Sequence, residues 1–271
     1  MGPIDHERTH GLGAHQEGGR DGPRAAHLDP ELAPGGTLRV GINFGNALLA
    51  TKDPSNGQPG GIAVDLAMEL GRRVGASVQV VAYPSAGRMA DAAGRGAWDV
   101  AFLGADPGRA AQISFTAPYL EIDSTYLVPA GSPLRSIADV DREGVRIAVS
   151  EKSAYGLFLS RELKRARLVR VPGVEASNAL FVTEKLEALA GPRPVLVTVA
   201  EGLPGSRVLD SRFTAVQQAV GTPRGRDAAA AYLREFVEDV KASGLVAGAI
   251  EKNGIRGVSV AAMAPAERPK N

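Results

Sequence analysis

The feature that most constrains the fold is an alternation of strand-like and helix-like segments near the start of the chain. Residues 37–44 and 77–82 are rich in β-branched residues, which favour extended strands. Between them, apolar residues recur every four positions from Ile62 to Val74 and form one stripe of a helix. Strand, helix and strand in this order predict a parallel sheet with crossover helices, which is an α/β fold.

The stretch 99–119 places an arginine after the end of a predicted strand. An apolar run ends at Gly104 and Ala105, and Asp106 then precedes a proline, a pattern typical of a helix start. Arg109 would lie in the first turn of that helix. Ligands of open α/β sheets bind at the carboxyl ends of strands, and a guanidinium can donate two parallel hydrogen bonds to a carboxylate. We therefore predict that Arg109 binds a carboxylate; the alternative is a solvated surface arginine.

Composition excludes several other classes of function. The chain has 271 residues, enough for two lobes of ordinary size, and a net charge of +1, which argues against nucleic-acid binding. It contains no cysteine, so disulfides, thiolate metal sites and cysteine nucleophiles are excluded. The sequence has no phosphate-binding loop, zinc motif or nucleophile elbow, and we expect neither a cofactor nor a metal.

Both ends of the chain are expected to be irregular tails. Residues 1–35 are rich in Gly, Pro, His and charge, and no apolar core of a signal peptide is visible there. His6, His10 and His15 are spaced loosely enough to suggest a metal, but a solvated tail is the favoured interpretation. The segment could follow a removed leader or begin a cytosolic protein. Residues 258–271 are interpreted as a C-terminal tail.

The pattern Asp-Val-x-x-x-Gly…Asp-Pro-x-Arg-Ala…Phe-Thr-x-Pro-Tyr in residues 99–119 resembles the signature of the solute-binding proteins of family 3, the amino-acid receptors of ABC importers. The resemblance runs from about Gly36 to Gly254. It implies a two-lobed, type II periplasmic-binding fold, in which each lobe has a central, mostly parallel sheet flanked by helices. Two hinge crossings would join a first lobe of residues 36–125 and 219–257 to a second lobe of residues 126–218.

A second part of the expected site lies in the second lobe. A predicted strand, 145–150, runs into a helix with Ser153 at its cap. The N–H groups of a first helical turn have no partner within the helix, and the helix dipole favours an anion there. By resemblance, Ser153 and Ala154 would hold the carboxylate of the ligand and Tyr155 would add a wall; the alternative is a plain N-cap serine.

Other residues complete the expected ligand-binding set. Phe44 would stack on the ligand and Asn46 would hydrogen-bond to it, or they are respectively a core residue and a turn residue. Gln218 lies in an otherwise apolar crossing, where a cleft would need a donor or acceptor, or it bonds to the edge of the sheet. The remaining members are Gly104, Ala105 and Asp106.

One departure from the family concerns the amino group of the ligand. Family members carry a segment Gly-x-x-Asp-Ala-x-x-x-Asp, whose last Asp binds the ammonium. Glu187 stands in place of the first Asp, and the last Asp has no clear match within residues 185–193. A buried ammonium without a partner costs several kcal/mol, so an acid that lacks an amine is an alternative to an α-amino acid.

The resemblance implies a monomeric, periplasmic binding protein without catalytic residues, which delivers a small anionic solute to an ABC permease. Two other interpretations stay open. One is an enzyme similar to cyclohexadienyl dehydratase, which would need a general acid such as Glu151, Asp106 or Glu187. The other is a detached ligand sensor, which would fit a cytoplasmic protein.

Overall fold

A computed structural model describes residues 30–266 of the chain. Strands β1 to β13 span Thr37–Asn43, Thr51–Lys52, Pro59–Gly60, Ser77–Tyr83, Val100–Gly104, Ile113–Phe115, Leu120–Val128, Arg146–Ser150, Arg167–Val171, Ala188–Pro192, Arg207–Val208, Thr214–Pro223 and Val258–Val260. Helices α1 to α8 span Ile62–Val74, Ala86–Asp91, Ile137–Val140, Ala154–Glu162, Val174–Thr183, Arg193–Glu201, Asp227–Ala242 and Leu245–Lys252. In the described part of the chain, no helix combines the length and hydropathy needed to cross a membrane. The predicted N-terminal tail up to residue 29, with His6, His10 and His15, lies outside the described residues.

Eleven of the described strands form one long sheet whose two ends are parallel and whose middle is antiparallel, and β2 and β3 pair with each other in a separate hairpin. The order of the long sheet is β4-β1-β5-β12-β7-β10-β8-β9, with β6, β11 and β13 paired beside this path. Strand β1 is parallel to β4 and β5, and β8 is parallel to β9 and β10. We call the half with β1, β4 and β5 the first lobe and the half with β8, β9 and β10 the second lobe. The parallel strands and their crossover helices confirm the predicted α/β class.

Strands β7 and β12 connect the two lobes in the middle of the sheet. They pair antiparallel, with Val216 opposite Ile122 and Gln218 opposite Leu120. Strand β12 also pairs with β5 of the first lobe, and β7 pairs with β10 of the second lobe. The lobe boundaries proposed from the sequence, at residues 125/126 and 218/219, fall inside these two strands.

Each lobe has its own hydrophobic core. In the first lobe, the helical stripe that includes Leu66 and Leu70 packs on Val40 of β1 and on α7. In the second lobe, Ile147 and Val149 belong to a separate cluster, with α4 packed against them. Because the main apolar clusters are separate, the region between the lobes is free to hold polar groups.

A buried carboxylate ties the first lobe together. Asp99 has no exposed surface and accepts hydrogen bonds from Nε and Nη2 of Arg39, at 3.0 and 2.8 Å. Nη1 of Arg226, at the start of α7, donates to the same carboxylate at 2.9 Å. Burial opposes ionisation, but the hydrogen bonds from Arg39 and Arg226 outweigh it and lower the pKa of Asp99 below its ordinary value.

Two segments that were expected to be tails are ordered parts of the first lobe. Leu32 and Ala33 are fully buried in its core, so the expected tail is wrong for residues 30–35. Strand β13 pairs antiparallel with Leu120–Ile122 of β7, so the expected C-terminal tail is wrong for Val258–Val260. Both segments are short, and their structure comes from tertiary contacts that local sequence does not encode.

Ending the chain after Gly257 is expected to lower the free energy of unfolding by about 1–3 kcal/mol. The truncation removes β13 and the carbonyl of Ala262, which accepts a hydrogen bond from the buried Nζ of Lys241 at 2.9 Å. Urea unfolding followed by circular dichroism measures the change. A chain ending after Ala266 is the matched control, and equal unfolding midpoints for the two truncated chains would contradict the prediction.

Candidate functional site

A small cavity of about 50 Å³ lies between the two lobes. Its walls include the last residues of four parallel strands, two from each lobe: Asn43 of β1, Gly104 of β5, Ser150 of β8 and Pro192 of β10. The amino-terminal ends of α2, α4 and α5 also reach it. Carboxyl ends of parallel strands and amino-terminal ends of helices are the places where open α/β folds bind ligands.

The structure brings many of the predicted site residues to this one cavity. The predicted residues that line it are Asn46, Gly104, Arg109, Ser153, Ala154, Tyr155 and Gln218. Three others do not line it, namely Phe44, Ala105 and Asp106. The role of each residue in ligand binding stays a prediction, but their convergence defines the candidate site.

Arg109 is a buried residue in the wall of the cavity. Only 7% of its surface is exposed, so the interpretation as a solvated arginine is wrong. It begins a 3-10 helix, Arg109–Ala111, instead of the predicted α-helix. The side chain of Asp106 accepts a hydrogen bond from the N–H of Gly108 at 2.8 Å, and β6 starts at Ile113, which leaves room for one turn only.

The guanidinium of Arg109 bonds to both lobes. Nη1 donates to the carbonyl of Gly104 at 2.7 Å, and Nη2 donates to the carbonyl of Lys152 at 2.5 Å. Of its five N–H groups, these two alone have partners among residues 30–266, so three donors stay available. Burial lowers the pKa of Arg109 to about 10, which keeps it charged at neutral pH.

The start of α4 faces Arg109 from the second lobe. The hydroxyl of Ser153 accepts from the N–H of Gly156 at 3.0 Å, which confirms the predicted N-cap. The same hydroxyl donates to the carbonyl of Ser150 at 2.8 Å, so its hydrogen is already used. The groups left for an anion are the backbone N–H groups of Ala154 and Tyr155, which have no acceptor within the helix.

Close backbone contact between the lobes shapes this wall. A Cβ atom placed on Gly104 would lie 2.9 Å from the Cβ of Ala154, so a side chain does not fit there. Nearby, Nζ of Lys152 pairs with Asp91 at 2.8 Å, and Arg161 pairs with Asp106 at 2.8 Å. These two ion pairs and the Arg109 bond join the lobes beside the cavity.

Two polar side chains that line the cavity have no hydrogen-bond partner in the described part of the chain. Gln218 is 6% exposed, and its side-chain amide makes no hydrogen bond within residues 30–266. The alternative that this amide bonds to the sheet edge is therefore wrong. The hydroxyl of Tyr155 is buried and also has no partner within the described chain. Burial raises the pKa of Tyr155 to about 12, so the hydroxyl stays protonated.

The other predicted residues have contacts away from the cavity. Ala105 donates its N–H to the carbonyl of Gln217 at 2.8 Å. Nζ of Lys52 lies over the ring of Phe44, 4.9 Å from its centroid, and this ring packs on the first-lobe core. Glu187 precedes β10 at the end opposite the cavity and pairs with Arg146 at 2.9 Å.

Sequence reasoning missed several lining residues that share one signal. Asn43, Ser150 and Pro192 end parallel strands, and Ser85 caps α2 at the cavity by accepting from the N–H of Arg88 at 3.2 Å. Ser150 ends a strand that the sequence predicts, whereas the predicted first strand ended one residue later, at Phe44, and the strand that ends at Pro192 was not predicted. Glu151, one of the general-acid candidates, also lines the cavity and is exposed.

Two lobes of mostly parallel sheet, joined by two crossing strands with a cavity between them, define the class of type II periplasmic binding proteins. Within that class, the model of the bacterial extracellular solute-binding proteins, family 3, matches residues 38–254. The chain belongs to this family and is a solute-binding protein. The comparison with curated protein sequences gives no significant match.

Solved structures of binding proteins have the same fold. The solute receptor for L-cysteine of Neisseria gonorrhoeae has a TM-score of 0.71 and 19% identity, over 82% of this chain and 92% of its own. A putative ABC-transporter binding component from Wolinella succinogenes, complexed with lysine, has a TM-score of 0.69 and 20% identity, over 80% and 95%. The ancestral amino acid-binding protein AncCDT-1, a precursor of cyclohexadienyl dehydratase, has a TM-score of 0.68 and 23% identity, over 80% and 95%.

Proposed function

We propose that this protein binds a small solute bearing a carboxylate, an amino acid or a related organic acid, in the cleft between its lobes. The observation that carries this proposal is the position of Arg109, a buried cation in the cavity wall with unused N–H donors. The N–H groups at the start of α4 lie across the cleft. Together they offer a carboxylate donors from both lobes.

Hydrogen bonds of this kind are strong enough for a transport receptor. A hydrogen bond to a charged group contributes about 1.5–3 kcal/mol, so a few of them bring a small ligand to micromolar affinity. A ligand that contacts both lobes favours the closed arrangement over an open one. The ion pairs Lys152–Asp91 and Arg161–Asp106 favour closure in the same direction.

We infer that the protein is the substrate-binding component of an ABC importer and acts as a monomer outside the cytoplasm. Its family is described as bacterial and extracellular, which supports this location. One of the similar structures is the substrate binding protein of an amino acid ABC transporter, with a TM-score of 0.68. A permease of this transporter type is the proposed partner.

A second candidate function is a dehydratase on the same scaffold. Two observations favour it: Glu151 lines the cavity, and AncCDT-1 is a precursor of cyclohexadienyl dehydratase. A receptor is the better supported function because Glu151 is exposed, whereas a general acid is usually tuned by burial.

A thermal-shift screen of amino acids, 2-oxo acids, 2-hydroxy acids and dicarboxylates tests the proposed function. We expect a small carboxylate to raise the melting temperature and to be recovered chemically unchanged by mass spectrometry. Conversion of the stabilising compound would indicate the enzyme instead. The proposal would be contradicted if amines or sugars without a carboxylate stabilised the protein and none of the acids did.

A further inference from the structure

The amide of Gln218 lies on the same wall of the cavity as Arg109. In the pairing of β12 with β5, Gln218 is directly opposite Gly104. Residues opposite each other on antiparallel strands project to the same face of the sheet. A Cβ atom on Gly104 would lie 3.7 Å from Nη1 of Arg109, so this face is the one that carries the guanidinium. The Cβ of Ala154 and the Cγ1 of Val216 fill the place of the missing side chain, each 2.9 Å from where a Cβ on Gly104 would lie, so the backbone of β5 packs closely against α4 at this wall.

The side-chain amide of Gln218 can form hydrogen bonds to an uncharged polar group of a ligand. Its amide has an oxygen that accepts and a nitrogen that donates, and neither has a partner in the described chain. The backbone of Gln218 is already used, since its carbonyl accepts from the N–H of Tyr119 at 2.8 Å. Because this amide lines the cavity, a ligand that carries a hydroxyl or oxo oxygen there gains a hydrogen bond that a ligand without such an oxygen does not make.

The charges around the cavity disfavour an ammonium group on the ligand. Among the described lining residues, Arg109 and Glu151 are the charged ones, and Glu151 is exposed at the rim. Of the two second-lobe strand ends that line the cavity, Ser150 and Pro192, neither carries a carboxylate, and the side chain of Pro192 has no acceptor at all. Apolar side chains such as Phe102 and Val216 form much of the remaining wall. A buried ammonium would find no buried carboxylate here.

The size of the cavity favours a short ligand. Its volume of about 50 Å³ is a few times the space that one water molecule needs and far below that of sites for drug-sized ligands. A carboxylic acid with a few carbon atoms fits this space. A longer acid would require the lobes to separate and would break the inter-lobe ion pair of Lys152 with Asp91.

We propose that Gln218 determines specificity, and that the ligand is a short 2-hydroxy or 2-oxo carboxylate. The carboxylate lies on Arg109 and the N–H groups of α4, and the oxygen on the adjacent carbon lies on the amide of Gln218. This inference rests on the proposed function, because it needs a carboxylate on Arg109. It restricts the expected ligands from all small acids to those with an uncharged oxygen on the carbon next to the carboxylate.

Isothermal titration calorimetry with four acids of three carbons tests the inference. Propionate, L-lactate, pyruvate and L-alanine share the carboxylate and differ at the second carbon. We expect L-lactate or pyruvate to bind at least about tenfold more tightly than propionate and L-alanine, since a site with a buried polar group discriminates against ligands that leave it unpaired. L-Alanine as the tightest ligand would overturn the inference.

Variants of Gln218 separate its role from a general effect on the fold. Gln218→Leu should remove the preference for L-lactate or pyruvate over propionate, while binding of propionate changes less than about threefold. Gln218→Glu should favour L-alanine, because the new carboxylate pairs with its ammonium. Gln217→Leu is the matched control, since that amide bonds to the carbonyl of Ala215 at 3.3 Å, and its affinities should match those of the wild type.

The outcomes distinguish this inference from the proposed function. An unchanged ratio of lactate to propionate affinity in a folded Gln218→Leu protein would overturn the role of Gln218 alone. Absence of binding by all four acids and by longer acids in the wild type would overturn the proposed function as well. Thermal unfolding of each variant shows that it is folded before the titrations are compared.

Discussion

Asp99→Ala is expected to lower the free energy of unfolding by about 2–4 kcal/mol, because the hydrogen bonds of a buried carboxylate to two arginine side chains are lost. The carboxylate has no exposed surface and bonds to both Arg39 and Arg226. Without it, Arg39 and Arg226 keep their bonds to the carbonyls of Gly96 and Glu31 but lose the carboxylate that joins β1 to the start of α7. The expected loss is large compared with the total stability of a typical domain.

Urea unfolding followed by circular dichroism measures this effect. Asp123→Ala is the matched control, because Asp123 and Arg212 form an ion pair in which both side chains are exposed. Exposed pairs contribute about 0–1 kcal/mol, so this variant should stay close to the wild type. Equal decreases in the free energy of unfolding for Asp99→Ala and Asp123→Ala would show that the buried Asp99 network stabilises the fold no more than an exposed ion pair does.

The same carboxylate predicts a dependence of stability on pH. Because the folded state lowers the pKa of Asp99, its contribution is complete above the unfolded value near 3.8 and is lost as the pH falls through the folded value. The wild type should therefore lose stability below about pH 4. Asp99→Asn, which cannot titrate, should show a shallower decrease; parallel curves would contradict this assignment.

Arg109→Gln is expected to weaken binding of a small carboxylate by at least about 100-fold. Two charge-assisted hydrogen bonds of about 1.5–3 kcal/mol each would be lost, and glutamine cannot replace the charge. The fold should persist, since glutamine keeps a polar group beside the carbonyl of Gly104, which Arg109 bonds at 2.7 Å. Isothermal titration with the best acid of the thermal-shift screen measures the loss.

The control for Arg109→Gln is Arg88→Gln. Arg88 is an exposed arginine on α2, a helix whose first residue lines the cavity, so the same charge is removed close to the site but outside it. Its effect on affinity should stay below about threefold, because exposed charges act weakly through water. Equal losses for the two variants would mean that the net charge, and not the Arg109 site, controls binding.

The fold could be predicted from the sequence because its main elements carry strong patterns. The apolar stripe from Ile62 to Val74 became the buried face of α1, and the predicted strand of residues 37–44 became β1, which ends one residue earlier, at Asn43. Weak patterns failed. Strand β13 has only three residues, and its pairing with β7 depends on contacts between positions far apart in the chain.

The site could be predicted only in outline. The position of Arg109 after a strand end placed it at the cavity, but its bond to the carbonyl of Lys152 depends on how the lobes close, which no local pattern encodes. The cap at Ser153 was predictable from the strand-to-helix transition, whereas the donation of its hydrogen to Ser150 was not. The unpaired amide of Gln218 became visible only when its neighbours in space were known.

The proposed function requires a carboxylate ligand that bridges the two lobes on Arg109. A crystal structure of the protein with its tightest-binding acid shows whether it does. We expect the carboxylate oxygens within about 3 Å of the Arg109 guanidinium and of the first N–H groups of α4. An acid bound elsewhere, with the guanidinium still held only by the carbonyls of Gly104 and Lys152, would contradict it.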